Sequence, residues 1–124
     1  MFKTIRERIA FRILLKINKT VKERKPDVTI GENYLKRWHI IPENPFLNVY
    51  YHEIRASDLD RHLHDHPYWF SSFILDGGYL EHTNKETKER GVGDFNFHTP
   101  WRFHRLEMKD SNGANTIFIT GPKI

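Results

Sequence analysis

From Val28 onward the chain is a succession of short segments rich in Tyr, Phe, Trp, Ile and Val, divided by Pro, Gly, Asn and Asp. Aromatic and β-branched side chains suit a pleated, half-buried surface, and turn residues at this frequency stop each run after a few positions. The candidate strands are Tyr34 to Ile41, Phe46 to Arg55, His62 to Leu75, Gly78 to Thr83, Asp94 to His98, Arg102 to Met108 and Asn115 to Thr120. Their separators are Pro42 to Pro45, Ser57 to Asp60, Asp76-Gly77-Gly78, Asn84 to Gly93, Thr99-Pro100 and Asp110 to Gly113. Seven or eight strands with no helical pattern between them predict an all-β fold, an antiparallel sandwich or barrel. No internal repeat or low-complexity tract interrupts the pattern.

The first 25 residues read differently. Phe2, Ile5, Ile9, Ile13 and Ile17 recur at steps of three or four, with Ala10, Leu14 and Val21 on an adjoining row and cations on the other face. That period predicts an N-terminal amphipathic α-helix, which Pro26 ends. At 124 residues the chain is long enough for one packed domain, so residues 1–25 are expected to belong to the same unit as a barrel over 26–124. The formal net charge of +4 is unevenly spread. Residues 1–25 hold nine Lys or Arg and two acids, net +7; of totals of 20 and 16, the remainder keeps 11 and 14, net −3. An apolar stripe on such a helix is expected to pack on the barrel or on a second subunit as a homodimer, while a nucleic acid or an anionic membrane surface is the alternative partner for residues 1–25. No apolar run of signal-peptide or membrane-spanning length is visible, and a cytoplasmic location is expected.

The absence of cysteine excludes disulfides, thiolate metal sites and a Cys nucleophile, so any metal must be held by His or carboxylate. Eight histidines are present, and three alternate in His62-Leu63-His64-Asp65-His66. On a strand these project from one face at intervals of about 6.6 Å, so two of them can converge on one ion. Further along, Gly91-Val92-Gly93-Asp94 and Thr99-Pro100 supply two turns that could bring His104 back opposite His64 and His66. Three neutral imidazoles on one side of an ion leave positions open for substrate or dioxygen and suit iron, zinc, nickel or copper.

Both stretches resemble the two sequence motifs of the cupin superfamily. The first motif runs Gly, five residues, His-x-His, three or four residues, Glu, six residues, Gly; with His64 and His66 as its pair, Gly77 or Gly78 falls on the last glycine. Asp58 stands at the opening glycine, and Phe70 or Ser71 at the Glu. The second runs Gly, five residues, Pro-x-Gly, two residues, His, three residues, Asn. Gly93 to His104 matches that span, with Thr99, Trp101 and Met108 at the Pro, Gly and Asn places. The resemblance covers roughly residues 58–108. It implies an antiparallel jelly-roll barrel, with His64, His66 and His104 as ligands of one divalent metal ion. Loss of the Glu is similar to the cupin branch with three-His iron sites, the thiol dioxygenases among them, which favours Fe(II) over Zn, Ni or Mn; it is also similar to cupins that have lost metal. The chain as a whole looks like short cupin-like proteins of bacteria and phages.

Around that set, Arg102 shares strand parity with His104 and is a candidate to hold a carboxylate or phosphate of a small-molecule ligand. His98, just before the Thr99-Pro100 turn, and His62, one step before His64, are the other candidate substrate-binding residues. Asp65 alternates to the opposite face, Glu81 could replace the absent Glu but is expected at a solvent-facing edge, and His39, His52 and His82 read as ordinary strand residues. Tyr68, Trp69 and Phe70 supply core area, and Ser71-Ser72 packing. No phosphate loop, nucleophile elbow or zinc-protease helix is present. The function implied is a mononuclear Fe(II) oxygenase acting on a small polar molecule; the alternative is a non-catalytic binder of a small ligand or protein partner that docks through its basic helix.

Overall fold

The computed structural model describes residues 4–31, 34–55, 66–101, 103–109 and 112–123. One helix, α1 (Ile5–Thr20), precedes nine strands: β1 (Val28–Ile30), β2 (Leu35–His39), β3 (Asn48–Ile54), β4 (Phe70–Gly77), β5 (Tyr79–Thr83), β6 (Thr87–Arg90), β7 (Phe95–His98), β8 (His104–Met108) and β9 (Ala114–Thr120). Thr4 caps the helix, its hydroxyl accepting from the Glu7 amide, in the Thr-x-x-Glu arrangement that satisfies orphan N–H groups at a helix start. The strands form an antiparallel six-stranded sheet in the order β1-β2-β3-β9-β4-β7 and a three-stranded sheet in the order β6-β5-β8. The all-β expectation with an N-terminal helix therefore holds.

Two strands lie where the sequence pattern showed none. β1 is three residues long, and β6 falls within the Asn84 to Gly93 separator. β6 is polar and mostly exposed, so no apolar alternation announces it; backbone pairing of Tyr79 to His82 with Thr87 to Arg90 makes it a strand. The expected strand over His62 to Leu75 is also corrected: residues 66–69 are not strand and β4 begins at Phe70. Pro67, which cannot donate to a ladder, sits in that stretch.

The register explains both faces of the large sheet. Trp38 pairs with Tyr51, Tyr51 with Ile117, Ile117 with Phe73 and Phe73 with Phe95, giving an apolar row across the outer face. Helix α1 covers this row as far as Phe73 and leaves Phe95 exposed: Ala10 and Ile17 pack with Trp38, Tyr51 and Leu75, joined by Ile13, Leu14, Val21, Phe73, Val92 and Ile117. The row of Ala10, Leu14 and Val21 thus faces the protein together with Ile13 and Ile17, whereas Ile5 and Ile9, assigned by spacing to the main stripe, are 72% and 46% exposed. Beyond the helix, the Trp38 indole donates to the Arg24 carbonyl (2.9 Å) and Lys22 pairs with the buried Glu53.

On the opposite face, Arg37, His52, Thr116 and Ile74 form one cross-strand row, and Tyr50, Phe118, Ser72 and Asn96 the next. A smaller cluster of Ile74, Tyr79 and Ala114, with Leu106 and Met108, closes the space between the sheets at one end. Gly77 and Gly113 make that end possible. Both adopt positive φ, and a Cβ on either would collide with a neighbouring carbonyl, that of Gly113 or of Ile54.

Candidate metal centre and ligand cavity

Between the sheets lies a cavity of about 180 Å³. Its apolar wall includes Leu35, Ile54, Phe70, Leu106 and Phe118; its polar wall includes Arg37, His52, His66, Tyr68, Tyr79, Glu81, Asn96 and His104. A concave apolar chamber with a few convergent polar groups is the common form of a small-molecule site.

His66 and His104, far apart in sequence, meet here. His104 opens β8, and His66 lies just before Pro67, where its carbonyl accepts from the Trp101 amide (2.9 Å) and ties the two stretches together. Their Nε2 atoms are 3.0 Å apart. Each ring is engaged at its other nitrogen: His66 Nδ1 lies 3.2 Å from the Tyr68 hydroxyl, and His104 Nδ1 lies 3.3 Å from Glu81 Oε2. Both rings pack on Phe70, at 5.1 Å between centroids in each case, which limits their rotation.

Glu81 is the organiser, and its placement corrects the solvent-facing expectation. It is 2% exposed because β5 is the central strand of the small sheet and Glu81 shares the inward parity of Tyr79. Burial alone would push its carboxyl up; hydrogen bonds from His104 and His98, with their charge, outweigh that and hold it well below the usual carboxylate range. His98 Nε2 lies 2.6 Å from Oε2, while Arg90 at 3.2 Å and the Asn96 amide at 3.4 Å donate to Oε1. A Glu81 carboxylate accepts from His104 Nδ1–H, and in the neutral imidazole that tautomer turns the Nε2 lone pair toward His66.

Of the sequence candidates, His98 points inward and is 3% exposed, its Nδ1 without a hydrogen-bond partner among the described residues. His64, His62 and Arg102 lie outside the described residues. Asp65 does too. His52, read as an ordinary strand residue, is 3% exposed and forms part of the cavity wall; its parity with Tyr50 and Ile54 was the available signal, but parity alone does not say which face is inside. Burial first, and the charge of Arg37 second, push its pKa well below the usual histidine value. Arg37, Tyr79 and Asn96 also emerge only from the register. His82 is elsewhere, bridging the Thr87 hydroxyl and Glu107.

The donor chemistry suits a metal ion. Glu81, His98 and His104 place ligand atoms within 4.8 Å of one another and could hold one. The His66 and His104 Nε2 pair fits more closely still, since ligands about 2.1 Å from a shared ion and 3.0 Å from each other subtend about 90° at it. Glu81 already accepts from Arg90, Asn96, His98 and His104, which favours its role as the group that orients His104.

No protein-family model and no curated protein matches the sequence. Solved structures do match in shape. KdgF from Halomonas sp. aligns with a TM-score of 0.67 at 13% identity, over 83% of this chain and 92% of that one. An RmlC-like cupin from Shewanella frigidimarina gives 0.60 at 19%, over 78% and 84%. Streptomyces Pac13 with uridine gives 0.61 at 13%, over 85% and 80%; Pac13 is described as a nucleoside dehydratase. Two antiparallel sheets, their shared chamber and these neighbours define the class: the chain has the cupin β-barrel fold with an added N-terminal helix. At 13–19% identity the likeness is one of fold. No helix among the described residues is long and apolar enough to cross a membrane.

Proposed function

We propose that this chain is a metal-dependent cupin that takes one divalent ion at His66 and His104, with His64 as the third imidazole, and a small polar molecule in the adjoining cavity. Iron(II) is the ion we favour and oxygenation the reaction, because a set of imidazoles on one side suits that metal and leaves positions for two reactants. The observation that carries the reading is the pair of Nε2 atoms 3.0 Å apart, with Nδ1 of each ring held by Tyr68 or Glu81. With both protons on Nδ1, two lone pairs face one another, an arrangement that a cation between them stabilises. Bound there, the ion would supply Lewis acidity and electron transfer. The protein's own part is to fix the two rings through Tyr68, Glu81 and Phe70, and to shield the reactants between apolar walls. That Pac13, of like fold, is found with uridine supports a small-molecule ligand.

A second reading rests on the same atoms. Tyr68, His66, His104 and Glu81 form an unbroken hydrogen-bonded chain if the tyrosine donates and His66 carries its proton on Nε2. Such a chain can move a proton without metal, as general acid–base chemistry requires. Metal analysis separates the two. Protein purified without chelator, then supplied with iron(II), is expected to bind about one equivalent, and a His66→Ala, His104→Ala double variant to bind none. Equal, negligible metal in both would remove the oxygenase reading and leave acid–base chemistry or simple binding.

A further inference from the structure

We propose that the ligand of this cavity carries a carboxylate, and that Arg37 is the residue that binds it. The inference rests on reading the cavity as a ligand site, and names the class of molecule it takes. Among the described residues Arg37 is the only Lys or Arg on the cavity wall. The other charged group there, Glu81, is already matched by Arg90 at 3.2 Å and by two histidines. Arg37 has no such match: among the described residues no carboxylate pairs with it, and the one hydrogen bond its guanidinium makes to them runs from Nε to Nε2 of His52 (2.9 Å). His52 is no counter-ion, since burial keeps its imidazole neutral.

The guanidinium is nevertheless held firmly. Its central carbon sits 4.2 Å above the Tyr50 ring, and the His52 contact fixes the Nε edge. That leaves the Nη pair as the fork that remains for an acceptor, and a planar two-oxygen anion fits such a fork in bidentate fashion. A preset cation of this kind saves the ordering cost of gripping a small ligand. One positive charge matches one carboxylate; a dianionic phosphate ordinarily draws more than one cation or a nest of backbone N–H groups. Tyr68 and His66 share the cavity with Arg37, so a short molecule gripped by Arg37 would present its other end toward the paired histidines.

The test uses the full chain with lactate as probe and lactamide as its uncharged counterpart of the same shape, titrated by NMR or calorimetry into chelator-treated and iron(II)-loaded protein. Lactate is expected to bind saturably and lactamide about ten- to a hundredfold more weakly, the range for losing a charge-assisted hydrogen bond. Arg37→Gln should bring lactate down to the lactamide level. Arg37→Lys, which keeps the charge and loses the fork, should fall between. The lactate and lactamide comparison on the unaltered protein stands even if a variant fails to fold. The assignment is overturned if lactate does not bind, if lactate and lactamide bind alike, if Arg37→Gln binds as the unaltered protein does, or if inorganic phosphate binds more tightly than lactate. Arg37-dependent lactate binding to protein that takes up no iron(II) supports the carboxylate site while removing the metal reading, so the two fail separately.

Discussion

His52 shows how one buried side chain links stability to pH. It is sandwiched between Tyr50 and Phe118, with ring centroids 5.8 and 4.9 Å away, and accepts from Arg37. Its folded pKa lies well below the ordinary value, chiefly through burial. As pH falls through about 6.5, the unfolded chain therefore takes a proton at this position that the folded one refuses. The stability it confers is present above that pH and is lost below it, at about 1.4 kcal/mol per pH unit for one proton. Urea unfolding from neutral pH downward should show the unaltered protein losing stability more steeply than His52→Asn, which has no proton to gain. Parallel slopes would mean that His52 is charged in the folded state. The wealth of histidine was legible in the sequence, but inward-facing histidines could not be told from outward ones. Glu81, a possible replacement for the missing Glu, was expected at an edge for the same reason: its alternation with Leu80 and His82 fixes which residues share a side, and only the pairing of β5 between β6 and β8 decides which side is buried.

At the level of elements, α1 was legible in its period but not in its orientation. Its apolar residues form two neighbouring rows, and the 3.6-residue repeat does not rank them. The choice falls to the sheet, whose Trp38, Tyr51, Ile117 and Phe73 row accepts Ala10, Ile13, Leu14 and Ile17 and leaves Ile9 outside. Ala10, with no exposed surface, marks the point of close approach. Ile17→Ala should therefore cost about 2–5 kcal/mol, a buried side chain removed with a cavity left behind. Ile9→Ala should stay within about 0.5 kcal/mol, as surface substitutions do. Chemical denaturation midpoints of the two variants test this, and equal losses would mean that the helix sits on its other row. The strands that were missed, β1 and β6, share a physical cause: three residues in one and four mostly exposed ones in the other bury too little to leave an alternating signature.

For the whole molecule, the cavity sets the terms. A barrel that keeps the space between its sheets open for a ligand gives up part of the core that would otherwise fill it, and a chain of 124 residues has little apolar surface to spare. The outer face of the large sheet makes up the difference, so the main hydrophobic cluster lies between sheet and helix. On this reasoning we propose that residues 1–25 belong to the folding unit; Arg8, Arg12 and Lys19 are exposed while Ala10 and Ile17 are buried, which gives the excess of cations a solvated outer face. A fragment comprising 26–124 would uncover Trp38, Tyr51, Leu75, Phe73 and Ile117 together, a contiguous patch of the kind that drives self-association. It should elute from size-exclusion chromatography as soluble aggregate or fail to stay in solution, and should bind a hydrophobic dye that the full chain does not. A monodisperse fragment with the full chain's thermal midpoint would instead make the helix an appendage, available to dock on a partner, and would shift attention from the cavity to the basic segment.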